Sequence, residues 1–339
     1  MERKNCIALY SGGLDSILAI KIMQTQGVYV DALYFATPFF GFNALKDPEA
    51  FKTAHLHKYG ICPHVIDYTD ELINILINPA HGFGKHMNPC IDCRIGMLKA
   101  AKKLLAVFNA SFIVTGEVLG QRPMSQRRDT LDVIVKASGL ADILLRPLCA
   151  KRMQPIKPER LGIVDREKLL DITGRGRKSQ IYLAEMFGIK SPYIPASGGG
   201  CMLTNKEIAI KVKDTIDRFV PQPPARYDIM LDIVGRKFIL DRSTVLVVAR
   251  NEQENEVLAG MKYPGNMFIK IAGVPGPLSV LRGKANQTNL EIASGICLRY
   301  TKAKGRKGLN ALYGTDPHQI RQTTNIKLIS DEDCKSLMY

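Results

Sequence analysis

The chain has 339 residues, with 47 Lys and Arg against 32 Asp and Glu and a formal net charge of +15. This length is enough for about two or three domains with a sizeable core, and no apolar run approaches the roughly 20 residues of a membrane span. Eight cysteines are too few for a disulfide scaffold in a chain this long. With no signal peptide ahead of Cys6, the expected compartment is the reducing cytoplasm, where clustered cysteines point to catalysis or metal.

The charge is uneven. Residues 1–84 carry −2, residues 85–220 carry +11 and residues 221–339 carry +6. A polyanionic partner is the natural reading, and a solubilising surface the bland one.

In chain order, the apolar run Cys6–Tyr10 has strand length and meets the turn Ser11-Gly12-Gly13-Leu14-Asp15-Ser16. Apolar residues then recur at helical spacing from Ile17 to Met23. Two glycines let successive N–H groups face one concavity, and the helix adds the positive end of its dipole, which makes a seat for an anion. No GxxxxGK[ST] is present, so the seat is not of the Walker type. The bland alternative is a glycine turn with Asp15 as helix cap.

Residues 28–37 read as a strand, 48–59 as a polar helix, 64–68 as a strand and 69–77 as an amphipathic helix. The pattern then predicts a helix over 99–108 and a strand over 111–117 that ends in a turn at Gly116. Residues 146–168 read as a basic, proline-rich loop. Residues 165–187 read as helical with a Gly/Arg interruption at 174–178, and Ser197–Cys201 as a flexible turn. A helix over 205–219 precedes Pro221-Gln222-Pro223-Pro224, the clearest linker signal in the chain. Beyond it short strands are expected at 238–240, 244–249, 267–271 and 292–300. Strands alternating with helices imply an α/β doubly wound parallel sheet with ligands at its carboxyl edge. A smaller C-terminal α+β domain is expected after it, with domains over residues 1–220 and 225–339.

SGGLDS resembles the PP-loop of the ATP pyrophosphatases, an adenine nucleotide alpha hydrolase-like fold whose members split ATP into AMP and pyrophosphate and adenylate a substrate. Thr115-Gly116-Glu117-x-x-Gly120-Gln121, with Ser125-Gln126 and Leu145-Arg146-Pro147-Leu148, resembles the tRNA 4-thiouridine synthetases of that group. Asn88-Pro89-Cys90-x-x-Cys93, with the distant Cys201, resembles the tRNA 2-thiouridylases and those thiolases whose three cysteines hold a [4Fe-4S] cluster. The tail residues Gly235-Arg236, Phe238, Pro264-Gly265 and Gly273–Pro277 resemble the RNA-binding domain of the NFACT proteins.

The resemblance implies an ATP-dependent tRNA uridine sulfurtransferase. Ser11, Gly12, Gly13 and Ser16 would hold the ATP phosphates, and Asp15 would orient the loop or a Mg²⁺. Ala36, Thr37, Thr115 and Gly116 would contact adenosine, with Gln121 near the substrate. Cys90, Cys93 and Cys201 would bind the cluster, or Cys93 and Cys201 would exchange a persulfide and a disulfide. From thiol chemistry alone a zinc site with His86 or Cys149 as fourth ligand, or inert thiols, stay open. The remaining cysteines read as structural.

The implied partners are tRNA, a sulfur donor (sulfide or a cysteine desulfurase relay) and a second copy of the chain, with no membrane. Phosphate contacts would come from Arg122, Arg127, Arg128, Lys151, Arg152, Arg175, Arg177 and Lys178. The Thr115-Gly116-Glu117-x-x-Gly120-Gln121 resemblance leans to uridine 8, the Asn88-Pro89 resemblance to uridine 34. Rival readings are an amidotransferase-type or lysidine synthetase-like adenylating enzyme, and a non-enzymatic RNA-binding factor with a degenerate nucleotide domain.

Overall fold

Five short apolar runs build a parallel sheet in the first of two units. The computed structural model describes residues 4–196, 200–219 and 222–339, and the chain divides into Met1–Thr204 and Asn205–Tyr339. The helix following Asn205 thus groups with the second unit.

The first unit runs β1 (Asn5–Leu9), α1 (Leu14–Thr25), β2 (Tyr29–Ala36), α2 (Phe42–Lys46), α3 (Pro48–Tyr59), β3 (Pro63–Asp67), α4 (Thr69–Ile77), α5 (Cys90–Leu104), β4 (Phe112–Thr115), α6 (Arg128–Ser138), β5 (Leu144–Leu145), α7 (Lys157–Arg160) and α8 (Lys178–Met186). The strand order is β3-β2-β1-β4-β5, all parallel. Every residue of β1 and β4 is buried, as expected of parallel strands covered on both faces. Ile17 and Leu18 of α1 pack with Phe112 and Val114 of β4 in one core, none of them exposed. The strand order reverses between β1 and β4, and ligands in such sheets bind in the crevice beyond that switch point.

The second unit runs α9 (Lys206–Phe219), α10 (Arg226–Met230), β6 (Arg236–Asp241), β7 (Thr244–Val248), α11 (Glu252–Ala259), β8 (Asn266–Ile271), β9 (Ser279–Arg282), α12 (Gln287–Arg299), β10 (Asn310–Gly314), β11 (Gln322–Asn325) and α13 (Asp331–Leu337). Its six strands form an antiparallel sheet in the order β11-β10-β8-β9-β7-β6. Leu290, Ala293, Ile296 and Cys297 of α12 pack on Phe238, Leu246 and Ile269. The fold is therefore α/β with a doubly wound parallel sheet, followed by a smaller α+β unit. Among the described residues no helix is long and apolar enough to cross a membrane.

Three elements differ from expectation. The helix expected at 99–108 starts at Cys90, so both cysteines of the CxxC lie in its first turn. Residues 292–300 lie in α12, not in a strand; Asn286 caps it by accepting from Asn289 N–H at 2.8 Å. The helix expected over 165–187 is confined to α8 and a short turn at 166–168. Between them Leu170 and Ile172 donate to Pro147 and Leu148 carbonyls, so this apolar run is extended. The glycine turn falls partly on residues 197–199 and the linker partly on 220–221, outside the described residues.

The second unit also buries an ion pair. Lys237 is 1% exposed and its Nζ lies 2.6 Å from Asp232, 2.8 Å from Thr215 Oγ1 and 3.3 Å from Asp214. Burial pushes Asp232 up to about 6 even with the ammonium beside it. Removing one partner leaves an uncompensated buried charge. Lys237→Met is expected to destabilise this unit by about 3–5 kcal/mol, read as faster hydrogen exchange of β6 and β7 amides. Adding Asp232→Leu should restore most of the loss.

Candidate active site

The loop after β1 is closed by its own serines. Ser16 Oγ accepts from Ser11 N–H and Ser11 Oγ–H, both at 3.2 Å, and donates to Gly13 O at 2.8 Å. Gly12 has φ +72, a left-handed backbone where a side chain is strained, and a Cβ there would stand 3.2 Å from His55 Cε1. Gly13, the N-cap of α1, is extended and has no side chain to cap the first turn. The first-turn N–H groups of a helix have no intrahelical acceptor, so the start of α1 is open to an anion.

The end of β4 is pressed against this loop. A Cβ on Gly116 would stand 2.5 Å from Asp15 C and from Ser16 N, and 2.6 Å from Asp15 O. Only glycine fits, and this contact joins the two strands at the switch point. Gln121, beyond the turn, donates from Nε2 to Asp15 Oδ2 at 3.0 Å. The structure therefore places Gln121 on the loop's own carboxylate.

Glu117 explains the rigidity of the strand end. It is buried, and its carboxylate takes Arg146 Nε at 2.9 Å, Thr115 Oγ1 at 3.1 Å and an ion pair with Arg94 at 3.4 Å. These charges hold it below the usual carboxylate range, outweighing burial. Thr115 thus has its hydroxyl turned to Glu117. Cys149 donates to Glu117 O at 3.3 Å and is buried.

Ala36 and Thr37 end β2 and are fully buried. Thr37 Oγ1 accepts from Phe39 N–H at 3.1 Å and Phe40 N–H at 3.3 Å, which closes a tight turn. That turn carries the third cysteine. Met202 N–H donates to Phe39 O at 3.0 Å, which ties the Cys201 segment to the carboxyl end of β2. Thr204 N–H and Oγ1–H both donate to Cys201 O.

Cys90 and Cys93 begin α5. Asp92, between them, accepts from His81 N–H at 2.8 Å and lies 2.7 Å from His81 Nδ1. Cys93 is buried, whereas Cys90 and Cys201 are half-buried. The three thiols sense one another: ionisation of Cys90 or Cys201 raises Cys93, and that of Cys90 raises Cys201. Burial pushes Cys93 up to about 12 and Cys201 up to about 11, with the Arg94 charge opposing it at Cys93. Among the described residues no three His, Cys, Asp or Glu groups are drawn close enough to hold a metal ion. The trio is gathered but not closed.

Sequence reading missed two features here. A row of rings at i, i+4 and i+8 on α3, Phe51, His55 and Tyr59, stands beside the loop; Tyr10 OH lies 2.5 Å from His55 Nδ1. The ring spacing was visible, though the helix had no buried residue to orient it. The second is Gln180 on α8, fully buried near Asp15, for which no local signal existed.

Two family models match the chain. Residues 2–157 match the family described as thiamine biosynthesis protein (ThiI), and residues 235–338 match the NFACT protein RNA binding domain. The two matches fall on separate parts of the chain, the first within the first unit and the second within the second. A protein of Thermoanaerobacter sp. (strain X514) named "Probable tRNA sulfurtransferase" is 34% identical over 115 residues, 33% of this chain and 29% of that one. A protein of Thermococcus kodakarensis with the same name is 28% identical over 167 residues, 49% and 39% of the two chains. The chain thus spans 29% to 39% of the length of these relatives. A solved 4-thiouridine synthetase in complex with RNA and ATP is similar over 66% of this chain and 47% of its own, with 19% identity and a TM-score of 0.41.

Within the first unit the Gly116 contact yields a direct check. Gly116→Ala should destabilise this unit by about 1–3 kcal/mol, read as faster hydrogen exchange in β1 and β4. Gly176→Ala, with nothing within 4 Å of its Cβ position, should change stability by less than about 0.5 kcal/mol.

Proposed function

We propose that this protein is an ATP-dependent tRNA sulfurtransferase that adenylates a uridine carbonyl and replaces its oxygen with sulfur. The observation that carries the reading is the convergence, at one carboxyl edge of one sheet, of an uncapped PP-loop and three thiols from two distant segments. The ThiI-type and NFACT-type matches and the names of the relatives support it.

ATP phosphates are taken by the loop of Ser11, Gly12, Gly13 and Ser16 at the start of α1, with Asp15 orienting the loop or a Mg²⁺. The ends of β2 and β4, at Ala36, Thr37, Thr115 and Gly116, lie beside the adenosine. The uridine oxygen attacks the α-phosphorus, the bond to the bridging oxygen breaks, and pyrophosphate leaves. Sulfide then adds to the activated carbon, the carbon–oxygen bond breaks, AMP departs and the sulfhydryl proton is lost to solvent. An unactivated carbonyl oxygen is too poor a leaving group for this exchange, which is why ATP is needed.

Cys90, Cys93 and Cys201 form a soft donor set without a carboxylate, which suits iron–sulfur ligation rather than a hard cation. A [4Fe-4S] cluster held by them supplies an iron without a protein ligand. Arg122, Arg175 and Lys178 are exposed and available to tRNA phosphates, whereas Arg127, Lys151 and Arg152 pair with Asp129, Glu167 and Asp171. Sulfide or a cysteine desulfurase relay is the sulfur source, the cytoplasm the compartment and a homodimer the expected assembly.

Pyrophosphate release is the test. Wild-type protein with ATP should release pyrophosphate at least about tenfold faster with unmodified tRNA, and Asp15→Asn should cost about a hundredfold. Release that is indifferent to tRNA would contradict the reading. Anaerobic purification should yield about four iron and four sulfide per chain, lost in Cys201→Ala. An iron-free protein that still thiolates tRNA would remove the cluster and keep the reaction.

A further inference from the structure

Two glutamines from distant parts of the chain lie beside Asp15. Gln121 follows β4, and its Nε2 donates to Asp15 Oδ2 at 3.0 Å. Gln180 sits on α8, outside residues 2–157 that match the ThiI family. It is wholly buried, and neither its Nε2 nor its Oε1 has a hydrogen-bond partner. Asp15 Oδ1 is likewise buried and without a partner. No hydrogen bond closes between them in this geometry, yet the amide is near enough to stabilise the carboxylate's charge. Arg177, the N-cap of α8, adds its charge to the same carboxylate while donating to Pro195 O at 2.9 Å.

A buried amide with no partner is costly, so an unsatisfied donor and acceptor in reach of each other complete one another. None of these atoms is open to solvent. Ala184 of α8 lies in one core with Leu14 and Ile17 of α1, which sets Gln180, one turn earlier, beside the Asp15 carboxylate; Asp15 Oδ1 and Gln121 Oε1 are the unpartnered buried acceptors there.

We propose that Gln180 is a positioning residue for Asp15: with Gln121 it grips the two carboxylate oxygens from opposite sides and fixes the acid at the nucleotide seat. The inference rests on the reading of residues 11–16 as that seat. It gives α8 a role in the reaction. Displacement of the carboxylate by about 1 Å is enough to cost up to a hundredfold in rate.

The test combines kinetics with an unfolding cycle. Gln180→Met keeps the volume and removes the hydrogen bonds. It should lower kcat for tRNA-dependent pyrophosphate release about 10- to 100-fold and leave KM for ATP within about threefold. Gln121→Met should do the same from the other side. Unfolding midpoints of Gln180→Met, Asp15→Asn and the double variant should be non-additive, with the effect of Gln180→Met at least halved once Asp15 is neutral. Additive midpoints, or a Gln180→Met protein with wild-type kcat, would overturn the proposal. A wild-type protein that releases no pyrophosphate would overturn the sulfurtransferase reading, and the unfolding cycle would still decide the grip.

Discussion

A missing methyl group organises the first unit. Gly116 lies so close to the Asp15–Ser16 backbone that any Cβ would overlap it. That contact locks the end of β4 to the loop after β1 at the point where the strand order reverses. Open α/β sheets use this crevice for ligands because the flanking turns diverge there. Everything proposed for the site depends on the crevice keeping its shape. The buried Glu117–Arg146 pair stiffens one wall, and the serine hydrogen bonds within the loop stiffen the other.

The thiols attach to the same edge by separate means. Cys90 and Cys93 are placed by the start of α5, whose first turn is pinned through Asp92 to His81. Cys201 is placed by one backbone hydrogen bond, from Met202 to Phe39 at the turn after β2. That turn closes on Thr37, which sequence reading had assigned to adenosine. Thr37 therefore couples the end of β2 to the third cysteine. Arg94 makes a second link, since it follows Cys93 and pairs with Glu117 beside the PP-loop.

Much of this was legible in the residues. SGGLDS and TGE-xx-GQ sit at strand ends because apolar runs precede them, and the parallel sheet follows from strands alternating with helices. What escaped reading did so for physical reasons. The first turn of α5 carries Cys90, Asp92 and Arg94, which show no apolar period, so the helix was placed too late. α12 buries residues around most of its circumference, so its Ile-rich end passed for a strand. Leu169, Leu170 and Ile172 fit a helical apolar pattern, but Leu170 and Ile172 donate to the Pro147 and Leu148 carbonyls. The nearness of Gln180 to Asp15 is purely tertiary: nothing within 20 or so residues of either reports it, and only the packing of α8 reveals it.

The proposed nucleotide seat and thiol set divide the proposed reaction into two separable halves. The most direct measurement follows both in one vessel: pyrophosphate and thionucleoside formed from tRNA, ATP and sulfide, by wild-type protein and by Cys201→Ala. The account predicts that Cys201→Ala still releases pyrophosphate in the presence of tRNA but forms no thionucleoside. Thionucleoside formation by Cys201→Ala at the wild-type rate would contradict it.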